Sequence, residues 1–150
     1  MDFNAIDIAE LIPHSGKMVL LDRIIACDEH SLSAELTVRD DGLLGSKKAV
    51  PAWAGIEYMA QAVAAYAGVM AKKAGEPVKL GFLLGTRRYS SSVAEFKVGS
   101  RLTVRVKKVI QDDALGVFDC EIYGRIHETG QDIEAIVSAN LNVYQPAHVT

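Results

Sequence analysis

The sequence predicts an α+β domain in which an antiparallel sheet wraps around one long helix. Three observations point there. From Tyr58 to Ala71 the chain carries no formal charge and is rich in Ala and Gly, the composition of a helix buried on all sides. Gly75 and Pro77 then stop that helix. Strand-like runs are grouped, two before the helix and about four after it, which favours an antiparallel sheet over alternating βαβ units.

Ala5 to Leu11 reads as a short helix with Ile6, Ile8 and Leu11 available for burial, and Pro13 and Gly16 then punctuate the chain. Met18 to Cys27 is an apolar strand and Ser31 to Val38 an alternating one, joined by a hairpin turn at Asp28-Glu29-His30. Arg39 to Val50 is a polar loop with two glycines. The central helix spans Ala52 to Lys73. Val78–Leu84, Arg101–Ile110, Leu115–His127 and Asp132–Val143 complete the strands, with a turn at Val98-Gly99-Ser100. The basic strand alternates outward Arg101, Thr103, Arg105 and Lys107 with inward Leu102, Val104 and Val106. Ala54, Ala60, Ala64, Ala67 and Ala71 would let the sheet approach the helix axis. Such a sheet leaves one edge needing cover, so a dimer is expected. With no repeat, low-complexity run or linker, residues 1–150 form a single domain.

An apolar fraction of 49% and a charged fraction of 23% are ordinary for a soluble globular protein. The N-terminus lacks the basic start and apolar stretch of a signal peptide, and the apolar helix is too short and Ala-rich for a membrane span. Cys27 and Cys120 stand far apart, and His14, His30, His127 and His148 are scattered. No spacing suggests a metal site or calls for a cofactor. A reduced, cytoplasmic protein is the simplest reading.

Net charge is −3, unevenly spread. Between Lys79 and Lys108 lie eight basic residues, with Glu95 as the sole acid, a balance of +7 that leaves −10 for the rest. Such a stretch is either a solvated strand face or a docking surface for an acidic partner. Nucleic acid is disfavoured by the overall negative charge.

Glu57 is the most informative residue. It stands near the start of the apolar helix, where an ionisable group must be paired, neutralised or used. Burial would raise its pKa and favour the protonated acid, the state that can donate a proton to a departing hydroxyl. The structural alternative is an acid placed to favour a helix's first turn.

Ile12-Pro-His-Ser-Gly-Lys-Met-Val-Leu-Leu-Asp-Arg-Ile24 resembles the opening of the β-hydroxyacyl-carrier-protein dehydratases, and Pro51 to Gln61 resembles their helix start, with matching spacing from Pro to Glu. Gly81 to Gly85 and Val98-Gly99-Ser100 are similar to a later strand and turn of that family. The order holds over most of the chain, and the likeness is greatest to divergent dehydratases of aryl polyene pathways. The resemblance implies the hotdog fold, a homodimer or a hetero-assembly with another hotdog dehydratase, and acyl thioesters on an acyl carrier protein as substrates. It also implies dehydration of a (3R)-hydroxyacyl thioester to a trans-2-enoyl product. One departure stands out: where the family carries a catalytic loop His, this chain has Leu43.

In this light Glu57 is the candidate acid and His14, within the opening motif, the candidate base, with a structural cap as the other reading of His14. The backbone amides of Ala52 and Trp53, at the helix N-terminus, would hold the thioester oxygen. Gln61, one turn after Glu57, would bond to it, to the thioester or to backbone. Arg87 and Arg88 are the candidate docking contacts for the acidic carrier protein. Two other functions fit the same residues: a hotdog thioesterase in which Glu57 activates water, and a non-catalytic subunit that pairs with a His-bearing dehydratase.

Overall fold

The computed structural model describes residues 6–12, 16–39, 48–78, 81–112, 114–125 and 132–145. Strands β1 (Arg23–Cys27) and β2 (Ser31–Thr37) form the expected hairpin. Its turn is closed by the Asp28 carboxylate, which accepts from the amides of His30 and Ser31 at 2.8 Å each. These bonds hold the Asp28 carboxyl below its usual range. β3 (Ala49–Pro51) enters a single 3-10 turn, Ala52–Ala54, that continues as helix α1 (Gly55–Lys73). β4 (Phe82–Ser91), β5 (Glu95–Lys97), β6 (Arg101–Asp112), β7 (Leu115–Arg125) and β8 (Asp132–Tyr144) come next.

The main sheet is antiparallel, in the order β1-β2-β6-β7-β8-β4, and β3 pairs with β5 apart from it. α1 packs on β2, β6 and β7. Leu32, Ala34 and Leu36 of β2 meet Leu102, Val104 and Val106 of β6 and Phe118, Cys120 and Ile122 of β7 in the core. Each large apolar side chain buried there contributes about 1.5–3 kcal/mol. Tyr66 sets its ring edge-on to Phe118, with centroids 5.7 Å apart, and Tyr58 tilts against Phe96 at 5.9 Å. The wrapped single-sheet architecture is thus the one expected.

Several elements differ from expectation. The first strand begins at Arg23, because Gly16–Met18 forms a 3-10 turn and Leu20 bonds to a side chain rather than to a strand. β4 is displaced towards its C-terminal end, to Phe82–Ser91. The three-residue strands β3 and β5 were not foreseen. At the N-terminus a 3-10 turn, Ile8–Glu10, replaces the short helix, with Asp7 capping Ala9 at 3.0 Å. Ile8 and Leu11 are buried as expected. Nor is α1 buried on all sides: Glu57, Ala60, Ala64 and Ala67 face a cavity instead of closing on the sheet. A close approach does occur at Gly68, where a Cβ would lie 2.6 Å from the Leu11 carbonyl oxygen.

On the outer face, Glu35 lies under Arg23 and Arg101, with Arg101 Nη2 at 2.7 Å. Arg101, Arg105 and Lys107 point outward as their alternation predicts. Among the described residues no helix is long and apolar enough to cross a membrane.

Candidate active site

The helix entrance is built by three strands. β3 delivers Pro51, whose extended backbone (ψ 145°) turns the chain into the 3-10 turn. Ala94, the residue before β5, holds that turn from one side, since the Ala52 N–H donates to its carbonyl at 3.0 Å. β4 holds it from the other, through the Tyr89 hydroxyl, which donates to the Ala52 carbonyl. The Gly55 N–H reaches the same carbonyl from within the turn. Of the two amides expected to face a substrate, that of Ala52 is therefore spent on Ala94. That of Trp53 lies in the first turn, where a helix supplies no acceptor. The Trp53 side chain is 60% exposed, so it is not a core aromatic.

One turn further, Glu57 is half-buried and lines the cavity. Gln61 is fully buried and fixes it. Gln61 Nε2 donates to Glu57 Oε1 at 3.2 Å and to the Met18 carbonyl at 2.6 Å, while Oε1 accepts from the Leu20 N–H at 2.9 Å. A carboxamide has two N–H hydrogens, and both are committed here. Gln61 thus combines two of the three roles foreseen for it: it bonds to Glu57 and to backbone.

His14 lies outside the described residues, as do Leu43 and most of its loop. The segment just after His14 is described, however, and Gln61 pins it at Met18 and Leu20, beside Glu57. His30 is exposed in the β1–β2 turn, and His127 and His148 lie outside the described residues.

The cavity holds about 510 Å³. Ala60, Ala64 and Ala67 form its helix wall, and Phe118 and Val143 part of its sheet wall. Its far end is polar, with Glu76, Lys108, Gln111 and Gln145. Lys108 Nζ stands 5.8 Å from the Tyr66 ring centre, a cation–π contact. The Tyr66 hydroxyl donates to the Glu29 carbonyl, and burial pushes its pKa up. The sequence showed neither this polar end nor the part played by Tyr89, because both arise from pairings between distant strands.

Arg87 and Arg88 are exposed on β4, immediately before Tyr89, so they stand on the strand that reaches the helix entrance. The rest of the basic stretch divides. Arg101 is committed to Glu35, Lys108 faces the cavity, Lys97, Arg105 and Lys107 are exposed, and Lys79 lies outside the described residues.

The family model described as ApeP-like, ApeP dehydratase, matches residues 6–150. Among solved structures, the chain is similar to one in the dehydratase heterocomplex ApeI:P from Xenorhabdus doucetiae. The TM-score is 0.82 and the identity 32%, over 94% of this chain and 91% of that one. It is also similar to a hypothetical thioesterase with coenzyme A from Streptococcus pneumoniae TIGR4 (TM-score 0.60, 12% identity, 85% and 87% covered). A third is the E. coli PaaI protein from the phenylacetic acid degradation operon (TM-score 0.59, 15% identity, 81% and 80% covered). At those identities the last two share the fold alone. No curated protein matches the sequence.

Proposed function

The chain belongs to the ApeP-like dehydratase family and has the hotdog fold, and on that premise we propose that it removes water from (3R)-hydroxyacyl thioesters carried by an acyl carrier protein. A base takes the α-proton, the Trp53 N–H receives the negative charge growing on the thioester oxygen, and Glu57 gives its proton to the departing β-hydroxyl. The products are a trans-2-enoyl thioester and water. His14 is the base, and Glu57 recovers its proton from it or from solvent. The cavity takes the acyl chain. The one observation that carries this reading is the clamp at Gln61, which ties Glu57, on the wall of the cavity, to the backbone at Met18 and Leu20.

The working unit is an assembly with a second hotdog subunit. Support comes from the similar chain's place in a dehydratase heterocomplex and from Leu43 in place of the family's loop His. A second reading arises from that same Leu43: the partner supplies the chemistry and this chain is a supporting subunit. Arg87 and Arg88 receive the acidic carrier protein.

Mass spectrometry of hydroxyacyl-carrier protein, incubated with the pure chain and then with a His-bearing hotdog partner added, tests these readings. Enoyl thioester should form, and Glu57→Gln should lower turnover at least about 10²-fold, as loss of a general acid does. Near-normal turnover in that variant, with folding intact, removes Glu57 from the chemistry and favours the supporting subunit. Free acid and thiol as products would make the protein a thioesterase.

A further inference from the structure

β4 does not run evenly. Its register against β8 shifts between Arg87 and Ser90, and Arg88 takes φ 55°, in the left-handed region. Arg87 and Arg88 are consecutive yet both exposed, which breaks the period-two alternation of a strand. A bulge of this kind re-aims a neighbouring side chain. Here the neighbour is Tyr89, which reaches the helix entrance and donates to the Ala52 carbonyl. Gly55 makes the room: a Cβ there would overlap the Tyr89 hydroxyl and lie 3.0 Å from Ile122 Cδ1. Gly55 has an ordinary helical φ of −57°, so the phenol, not the backbone, calls for glycine.

The Ala52 carbonyl and the Trp53 N–H belong to one amide. In a planar trans peptide they point in opposite directions, so a donor fixed on the oxygen fixes the aim of the N–H. It also polarises the amide and strengthens the N–H as a donor. We infer that Tyr89 is a positioning residue for the dehydration site, orienting and polarising the Trp53 N–H through the Ala52 carbonyl. This rests on the dehydratase reading above. Tyr89 touches no substrate and exchanges no proton. Burial pushes its pKa up to about 12, so the hydroxyl keeps its hydrogen throughout the neutral range.

Tyr89→Phe keeps the ring and removes only the hydroxyl. In whichever assembly gives wild-type turnover, kcat should fall about tenfold, less than the roughly 10²-fold of a wholly lost oxyanion donor, with KM within about twofold of wild type. In the free protein, the Trp53 amide proton should move upfield by NMR, as expected of a less polarised N–H. Gly55→Ala should reproduce both effects, because its methyl displaces the hydroxyl. Added to Tyr89→Phe it should cost little more, the non-additivity of two changes acting on one contact. Wild-type kcat in Tyr89→Phe, a rise in KM alone, or an unmoved Trp53 resonance would each overturn the inference while leaving the dehydratase reading intact. An inactive wild type would instead overturn that reading and the catalytic half of this inference, and the amide resonance, which needs no turnover, would still decide the geometric half.

Discussion

Gln61 stands one helical turn after Glu57 and donates to its Oε1 at 3.2 Å while the same nitrogen donates to the Met18 carbonyl at 2.6 Å. One carboxamide thus joins the candidate acid to the segment just after His14. The carboxamide itself is fully buried, while its bonds to Glu57 and Met18 are part-buried.

Gln61→Leu should therefore act on stability and on turnover together. It leaves the Leu20 N–H, in a buried contact, and the Met18 carbonyl, in a part-buried one, without this partner. The expected loss is about 2–4 kcal/mol, since each stranded polar group costs about 1–3. Urea denaturation measures it. Turnover should fall even below the melting range, and a variant with normal kcat would show that Glu57 needs no orienting partner.

Arg87→Glu with Arg88→Glu should raise KM for carrier-protein substrates and weaken its dependence on salt, because exposed charges act mainly on encounter and are screened. Short pantetheine thioesters should react as before. Equal losses on both substrates would place the two arginines in the fold or the site. Arg88→Gly separates the contributions further. It removes one charge and relieves a left-handed φ that costs an ordinary residue about 1–2 kcal/mol. Tm should hold or rise while KM climbs, and a lower Tm would mean that the Arg88 side chain supports the bulge.

The helix was legible because its evidence is local: an uncharged run, then Gly75 and Pro77. β2, β6, β7 and β8 were legible because their burial alternates along the chain. β4 was misplaced because its second half breaks that alternation at Arg87 and Arg88. β3 and β5 escaped notice because three residues hold no period and their pairing is long-range. Glu57 could be singled out as a lone charge in apolar surroundings. Tyr89 could not, since nothing in Arg-Arg-Tyr-Ser shows that a bulge will turn the phenol towards residue 52. The row of alanines is legible as a small helix face, yet Ala60, Ala64 and Ala67 face the cavity and not the sheet. Composition tells that a helix face is small, not what lies opposite it.

Gly68→Ala should destabilise despite the gain in helix propensity of about 1 kcal/mol. The new methyl would sit 2.6 Å from the Leu11 carbonyl and 2.9 Å from Leu11 Cβ, and backbone yields less readily than a side chain. A net loss of about 1–3 kcal/mol is expected in thermal or urea unfolding. A stabilised variant would show that the Ile8–Leu11 segment is only loosely docked.

Glu35 sets an acid limit on stability. Its carboxyl is held below the usual range, first by the hydrogen bond from Arg23 and then by Arg101, against an opposing cost of burial. A depressed folded-state pKa stabilises above the unfolded value, about 4.3, and that contribution fades as pH falls through the folded value. Glu35→Gln should thus lower Tm at pH 7, and the gap to wild type should narrow below about pH 4.3. High salt should narrow it too, because both arginine side chains are about half exposed. A gap constant across pH would mean that Glu35 acts through packing.

The two margins of the main sheet are unequal. β1 has five residues, a register irregularity and the ion-paired Arg23, whereas β4 has ten. A margin that is short, irregular and charged discourages further pairing. Only one side of the sheet therefore offers a template of useful length, and once it is occupied little remains to extend. Chains joined along that side would stop at a pair rather than grow into a fibre, whichever subunit takes the second place.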